Sequence, residues 1–279
     1  MMKQFDLSRF WLTLKADNVL QWKTSLRLTL GMAFALTTIY IVNSLGGRLD
    51  NMGEYDIQYH YDIRKYNETC WALTLFCFIF FMGIGGCFMA NNMKTKQQRI
   101  AFLSLPSSNL EKFLSRFLWC TLGFFLFFCV AMITADLLRA IFCLSIHGNA
   151  CGSVLSFHFK MLGMASFNNP NGNFDMEIVY AVIMVTSVAL HCHSVYLLGG
   201  VFFRKFNWIL TTVVCYAVSP LLALLTYYFD IDPVVEPDGL TATAYIVTGV
   251  CLLLTVFNYW ASYRLFCRSQ VICNKIVNI

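Results

Sequence analysis

Charge is scarce in this sequence. Aspartate, glutamate, lysine and arginine make up 13% of 279 residues, whereas hydrophobic residues make up 58%; ordinary soluble domains are about one quarter charged. Such an apolar surplus cannot be hidden in one water-soluble core, so lipid is the expected solvent. Catalytic signatures are missing as well. There is no G-x-x-x-x-G-K-[ST] loop to cradle a nucleotide, no H-E-x-x-H zinc helix and no G-x-S-x-G nucleophile elbow. No carboxylate falls inside an apolar run, which argues against an intramembrane aspartyl protease or a proton-coupled carboxylate relay.

What the chain does have is six apolar runs long enough to cross a bilayer as helices. They are Leu28–Leu45, Cys70–Asn92, Phe117–Ala135, Ile178–Phe203, Trp208–Phe229 and Leu240–Tyr263, and none contains Asp, Glu, Lys or Arg. The segments between them alternate in charge. Fifteen of the twenty basic residues fall on one side, and twelve of the fifteen acidic residues fall on the other. The positive-inside rule then places both termini in the cytoplasm. The expected fold is an all-α integral membrane protein, a single six-span domain over 1–279, with an outer connection at 136–177 and no soluble domain.

Residues 1–26 read as an interfacial amphipathic helix. Leu7, Phe10, Trp11 and Leu14 recur at helical spacing, Asp6 is placed to cap, and Arg9, Lys15 and Lys23 suit anionic headgroups. A short cytoplasmic helix packed on protein explains the same pattern. Most of the twelve cysteines lie in apolar runs and read as small packing residues. Spacing leaves a Cys143–Cys151 bridge open. Gly83, Gly85 and Gly86, with Gly199 and Gly200, mark places where helix backbones can approach closely.

His191-Cys192-His193 carries metal-ligand residue types, but helical residues i and i+2 point about 200° apart and cannot chelate one ion together. His191 and His193 therefore read as packing histidines or, with Ser219 and Pro220, as polar groups along a translocation path. No metal is assigned. Pro220 is expected to kink its helix.

The connection at 93–116 is the most informative segment. Pro106 disfavours helical geometry at Leu105, so a helix over Lys96–Ser104 should stop there. Ser108 stands three residues before Glu111, the spacing of a capping box, so a new helix should start at Asn109. The product is an elbow of two helices.

The Leu105-Pro106-Ser107-Ser108 and Glu111-Lys112 pattern, in a six-span chain, resembles the permease subunits of type-two ATP-binding-cassette exporters, and among them permease-like proteins of Bacteroidetes. That resemblance implies a transport subunit in the bacterial cytoplasmic (inner) membrane rather than an enzyme. The elbow would be a coupling helix for a separate ATPase, which would bind the ATP and Mg that this chain does not. Residues Arg99, Phe102, Leu103, Leu105, Pro106, Ser107, Ser108, Asn109, Glu111 and Lys112 would form the docking segment. A second permease copy or a paralogue would complete the transporter, with the bilayer and no nucleic acid as the remaining surroundings. The abundance of Phe and Tyr points to a hydrophobic or amphipathic cargo. The alternatives are a non-transport immunity or assembly factor and an embedded haem or metal handler using His191 and His193.

Overall fold

The computed structural model describes residues 5–49, 56–93, 95–147, 153–156, 176–228 and 242–268. Among them the elements are helical: α1 (Leu7–Leu49), α2 (Asp56–Cys87), a 3₁₀ segment (Phe88–Met93), α3 (Lys96–Leu103), α4 (Asn109–Leu118), a π turn (Trp119–Gly123), α5 (Phe124–His147), α6 (Met176–Phe202), α7 (Asn207–Tyr228) and α8 (Ala242–Cys267). Five segments are long and apolar enough to cross a membrane: Leu7–Ser44, Thr69–Asn91, Asn109–Ser145, Ile183–Phe202 and Tyr245–Cys267. The run expected over Trp208–Phe229 lies in α7, which continues through Pro220 to Tyr228. Its described apolar stretch, Asn207–Val218, is shorter than the other five. Residues 148–152 and 157–175 of the outer connection, Cys151 among them, and the Ser219 side chain lie outside the described residues.

The amino-terminal segment and the first apolar run form one unbroken helix of 43 residues, about 65 Å long at about 1.5 Å per residue. Asp6 starts it, with a carboxylate oxygen accepting from the Ser8 amide at 2.9 Å. The inward stripe of α1 is polar. Thr13, Asp17, Gln21, Ser25 and Thr29, one turn apart, are buried, whereas Leu7, Trp11, Leu12, Val19, Leu20 and Leu30 are exposed. Of the expected stripe, Phe10 is buried and Leu14 half-buried, while Leu7 and Trp11 face outward. Such an arrangement suits a surface that meets lipid, where apolar side chains can face outward, and hydroxyls turn inward or back onto their own helix, as Thr13 does to the Arg9 carbonyl at 2.8 Å and Thr29 to the Ser25 carbonyl at 2.8 Å.

Contacts divide the chain into two units. The first comprises Met1–Leu20, Met82–Gly123 and Met176–Ile279. In it the end of α2 meets the end of α6 at glycines. A Cβ built on Gly86 would lie 2.9 Å from the Leu197 nitrogen, and one on Gly200 would lie 2.7 Å from the Cys87 Cα. Only glycine permits backbones that close. The Cys87 carbonyl, at the end of α2, accepts from the Asn207 side-chain amide at 2.6 Å. α4 packs on α8 through aromatic edges, with Phe113 5.2 Å from Tyr263 and Phe117 5.2 Å from Tyr259 between ring centroids.

The second unit comprises Gln21–Phe81 and Phe124–Asp175. The buried Tyr40 and Thr74 hydroxyls meet at 2.9 Å, and Phe78 packs against Phe125 and Phe128. α5 continues past the apolar run to His147. There the Asp136 carboxylate binds the buried Arg139 guanidinium at 3.0 Å and accepts from the Ser153 hydroxyl at 2.5 Å and the Val154 amide at 3.2 Å. These contacts tie the short helical turn that follows Ser153 to α5.

Candidate functional site

The elbow forms where the sequence places it. α3 ends at Leu103 with Ser104 as C-cap, and α4 begins at Asn109 with Ser108 as N-cap. The Ser108 hydroxyl accepts from the Glu111 amide at 3.2 Å, and Glu111 Oε2 accepts from the Ser108 amide at 2.8 Å, which closes the expected capping box. A second box, at the start of α3, escaped the sequence reading. Thr95 Oγ1 accepts from the Gln98 amide at 3.2 Å, and Gln98 Oε1 accepts from the Thr95 amide at 3.2 Å. Its signal was the Thr-x-x-Gln spacing just before Arg99.

The elbow's charged residues face inward. Arg99 donates from Nε and Nη2 to the Met93 carbonyl at 3.1 and 2.9 Å, closing the end of the 3₁₀ segment. Lys112 Nζ donates to the Leu103 carbonyl at 3.0 Å, supplying a cation where the α3 dipole is negative. Arg116, fully buried, donates from Nη1 to the Met89 carbonyl at 3.0 Å and lies with its guanidinium carbon 3.7 Å from the centre of the Phe102 ring.

The counter-charges come from α1. Asp17 Oδ1 sits 3.7 Å from Arg116 Nε, and Asp17 Oδ2 accepts from the Ser115 hydroxyl at 2.8 Å. Glu111 Oε1 accepts from the Asp6 backbone amide at 2.8 Å and from Arg9 Nη2 at 3.3 Å. One buried carboxylate thus closes the start of α4 and holds the start of α1. Only three acidic residues lie on the basic side of the charge pattern, Asp6, Asp17 and Glu111, and all three belong to this clasp.

The ten residues expected at the docking segment therefore divide. Arg99, Phe102, Glu111 and Lys112 are buried and build the elbow from within. Leu103, Ser107 and Ser108 are half-buried, and Leu105, Pro106 and Asn109 are exposed. Sequence reasoning missed Asp17, Ser115 and Arg116 as members of the site, because the Ser115–Asp17 contact joins residues 98 positions apart.

The clasp can be tested with Glu111→Gln. An amide side chain has a single acceptor oxygen, and its NH₂ would face a backbone donor. We expect amide exchange over residues 5–10 to accelerate by about tenfold or more, the equivalent of one lost charge-assisted hydrogen bond. Hydrogen–deuterium exchange on the full chain reads this directly, and unchanged exchange would show that Glu111 does not hold the start of α1.

No protein-family model, curated protein or solved structure matches the chain. The residues of the elbow and the charge pattern are what the functional reading stands on.

His193 on α6 is buried, and its Nδ1 meets the Tyr259 hydroxyl of α8 at 3.0 Å. Beside it the Asn258 side-chain amide donates to the Ser194 hydroxyl at 3.0 Å. His191 is half-buried and does not share this contact, and Pro220 is exposed within α7. Among the described residues, no three His, Cys, Asp or Glu side chains gather as metal ligands.

Proposed function

We propose that this chain is the permease subunit of an ATP-binding-cassette exporter of the bacterial inner membrane. In this reading it has six spans and both termini in the cytoplasm. A separate ATPase, which binds ATP and Mg, seats on the α3–α4 elbow. Two permease copies, or this chain and a paralogue, form the pathway for a hydrophobic or amphipathic cargo. The observation that carries the reading is the clasp. A helical elbow between two long apolar segments is capped at both helix starts and braced by buried charges from α1. Such an element moves as one piece when pushed, as a rigid-body switch between two cavity states requires.

Affinity capture of the tagged chain from its native host, followed by co-expression with any ATP-binding-cassette ATPase it retains, tests the proposal. A stoichiometric complex with vanadate-sensitive ATPase activity is expected. Deleting Ser107–Asn109 should release the ATPase while the permease still inserts in the membrane. A chain that functions with no ATPase present would instead point to an immunity or assembly factor.

A further inference from the structure

Phe206 is the one non-glycine residue with a positive φ, 52°, among the described residues. In that left-handed region an L side chain crowds the following carbonyl, and glycine or asparagine is the usual occupant. The turn between α6 and α7 explains the geometry. α6 ends at Phe202, α7 starts at Asn207, and both ends are pinned. The Phe203 amide donates to the Gly199 carbonyl at 2.9 Å, and the Asn207 side-chain amide donates to the Cys87 carbonyl at 2.6 Å. The Phe206 carbonyl accepts from the Leu210 amide at 2.9 Å, the first hydrogen bond of α7. So short a reversal between fixed ends calls for a left-handed residue. It does not call for an aromatic one.

The fold makes little use of the ring. Phe206 is 69% exposed, with Trp208 at 48% and Ile209 at 39% close by. Lys205 is exposed as well, and among the described residues no carboxylate pairs with it. No acidic residue occurs between Glu177 and Asp230. The turn therefore carries a strained backbone, an outward phenyl ring, an outward indole and an uncompensated ammonium group. Strain of this kind persists where the residue serves something beyond its own packing.

Position in the chain identifies what covers the turn. Ile183–Phe202 is long and apolar enough to cross a membrane, and a second apolar stretch begins at Asn207. Phe206 is four residues past Phe202, so with α6 in a bilayer it lies within about 14 Å of the hydrocarbon edge even if the chain were fully extended. Aromatic rings collect at that depth, and an exposed base there meets the phosphates of anionic lipid.

We infer that the α6–α7 turn binds an anionic phospholipid. Phe206 and Trp208 enter the interface beside the upper acyl chains, and the Lys205 ammonium group meets the phosphate. The inference is independent of the exporter reading and needs only α6 in a bilayer.

The test places p-benzoylphenylalanine at position 206 of the full chain, in nanodiscs of equal phosphatidylcholine and phosphatidylglycerol. Illumination is followed by mass spectrometry of the adducts. Phospholipid adducts are expected, with phosphatidylglycerol enriched about fivefold, the effect of one base at an anionic surface. Lys205→Gln should bring the two lipids to within about twofold of each other. Phe206→Gly relieves the backbone and removes a ring that the fold leaves outside, so in neutral detergent it should melt at or above the parent temperature.

An absence of lipid adducts, or adducts to protein alone, would overturn the inference. Equal capture of the two lipids by the parent chain would overturn it as well, since the site would then have no preference for anionic headgroups. A Phe206→Gly chain melting more than about 4 °C below the parent would assign the ring to packing within the protein.

Discussion

Asp17→Ala is expected to be the most damaging single change in the elbow. It strands the buried Arg116 guanidinium, whose other contacts are the Met89 carbonyl and the face of Phe102. It also removes one of the two acceptors of the Ser115 hydroxyl, leaving the Lys112 carbonyl at 3.1 Å. Breaking a buried ion pair from one side costs about 3–5 kcal/mol, because the remaining charge stays desolvated. Removing both charges is far milder. Asp17→Leu with Arg116→Met should recover most of the loss, as apolar replacements for buried pairs often do. Thermal unfolding in detergent of the parent, Asp17→Leu, Arg116→Met and the double variant completes the cycle. A double variant as unstable as Asp17→Ala would mean that the pair acts through its hydrogen bonds rather than its charges.

The second large effect concerns the glycines where α2 and α6 meet. In Gly200→Ala the new methyl group would lie 2.7 Å from the Cys87 Cα, 2.8 Å from the Gly86 oxygen and 2.9 Å from the Cys87 oxygen. All three are backbone atoms, so no side chain can swing aside and the helices must separate. Overpacking of this kind costs about 1–3 kcal/mol, and loss of the close helix contact places this change at the upper end. Gly86→Ala should behave alike. Gly31→Ala and Gly249→Ala are the controls. Apart from the helix's own backbone, no atom lies within 4 Å of either added methyl, and both glycines are helical, so alanine should stabilise by up to about 1 kcal/mol. Melting temperatures of the four variants decide the matter. Equal losses at all four sites would mean that glycine serves helix flexibility here rather than close approach.

The sequence and the structure agree wherever a local rule governs. Apolar runs without charge became long helices. Pro106 and the Ser108–Glu111 spacing produced the stop and the start of the elbow, since capping is settled within four residues. Gly86 and Gly200 became backbone contacts, while Gly83 and Gly199 face the Tyr196 and Thr211 side chains. The apolar stripe of residues 1–26 gave less. Leu7 and Trp11 face outward, as an interfacial helix would have them, Phe10 is buried, and the stripe that turns inward is polar, as Thr13, Asp17, Gln21 and Ser25 show. The burial of Arg99, Lys112 and Arg116 was illegible for another reason. Composition counts their charges, but their partners are backbone carbonyls and a carboxylate far along the chain, which spacing does not register.

The two polar contacts between α6 and α8 have a further consequence. His193 meets Tyr259 and Ser194 meets Asn258. One index rises by a step as the other falls by a step, the relation of two antiparallel rods held at one fixed offset. Helices coated with leucine, valine and phenylalanine slide past one another at little cost, because any offset offers hydrocarbon to hydrocarbon. These two pairs remove that freedom. A slip of one turn would leave an imidazole, a phenol, a hydroxyl and a carboxamide facing side chains that cannot answer them, each at a cost of about 1–3 kcal/mol. The pairs act as a key that accepts a single alignment, chosen while the helices are still assembling.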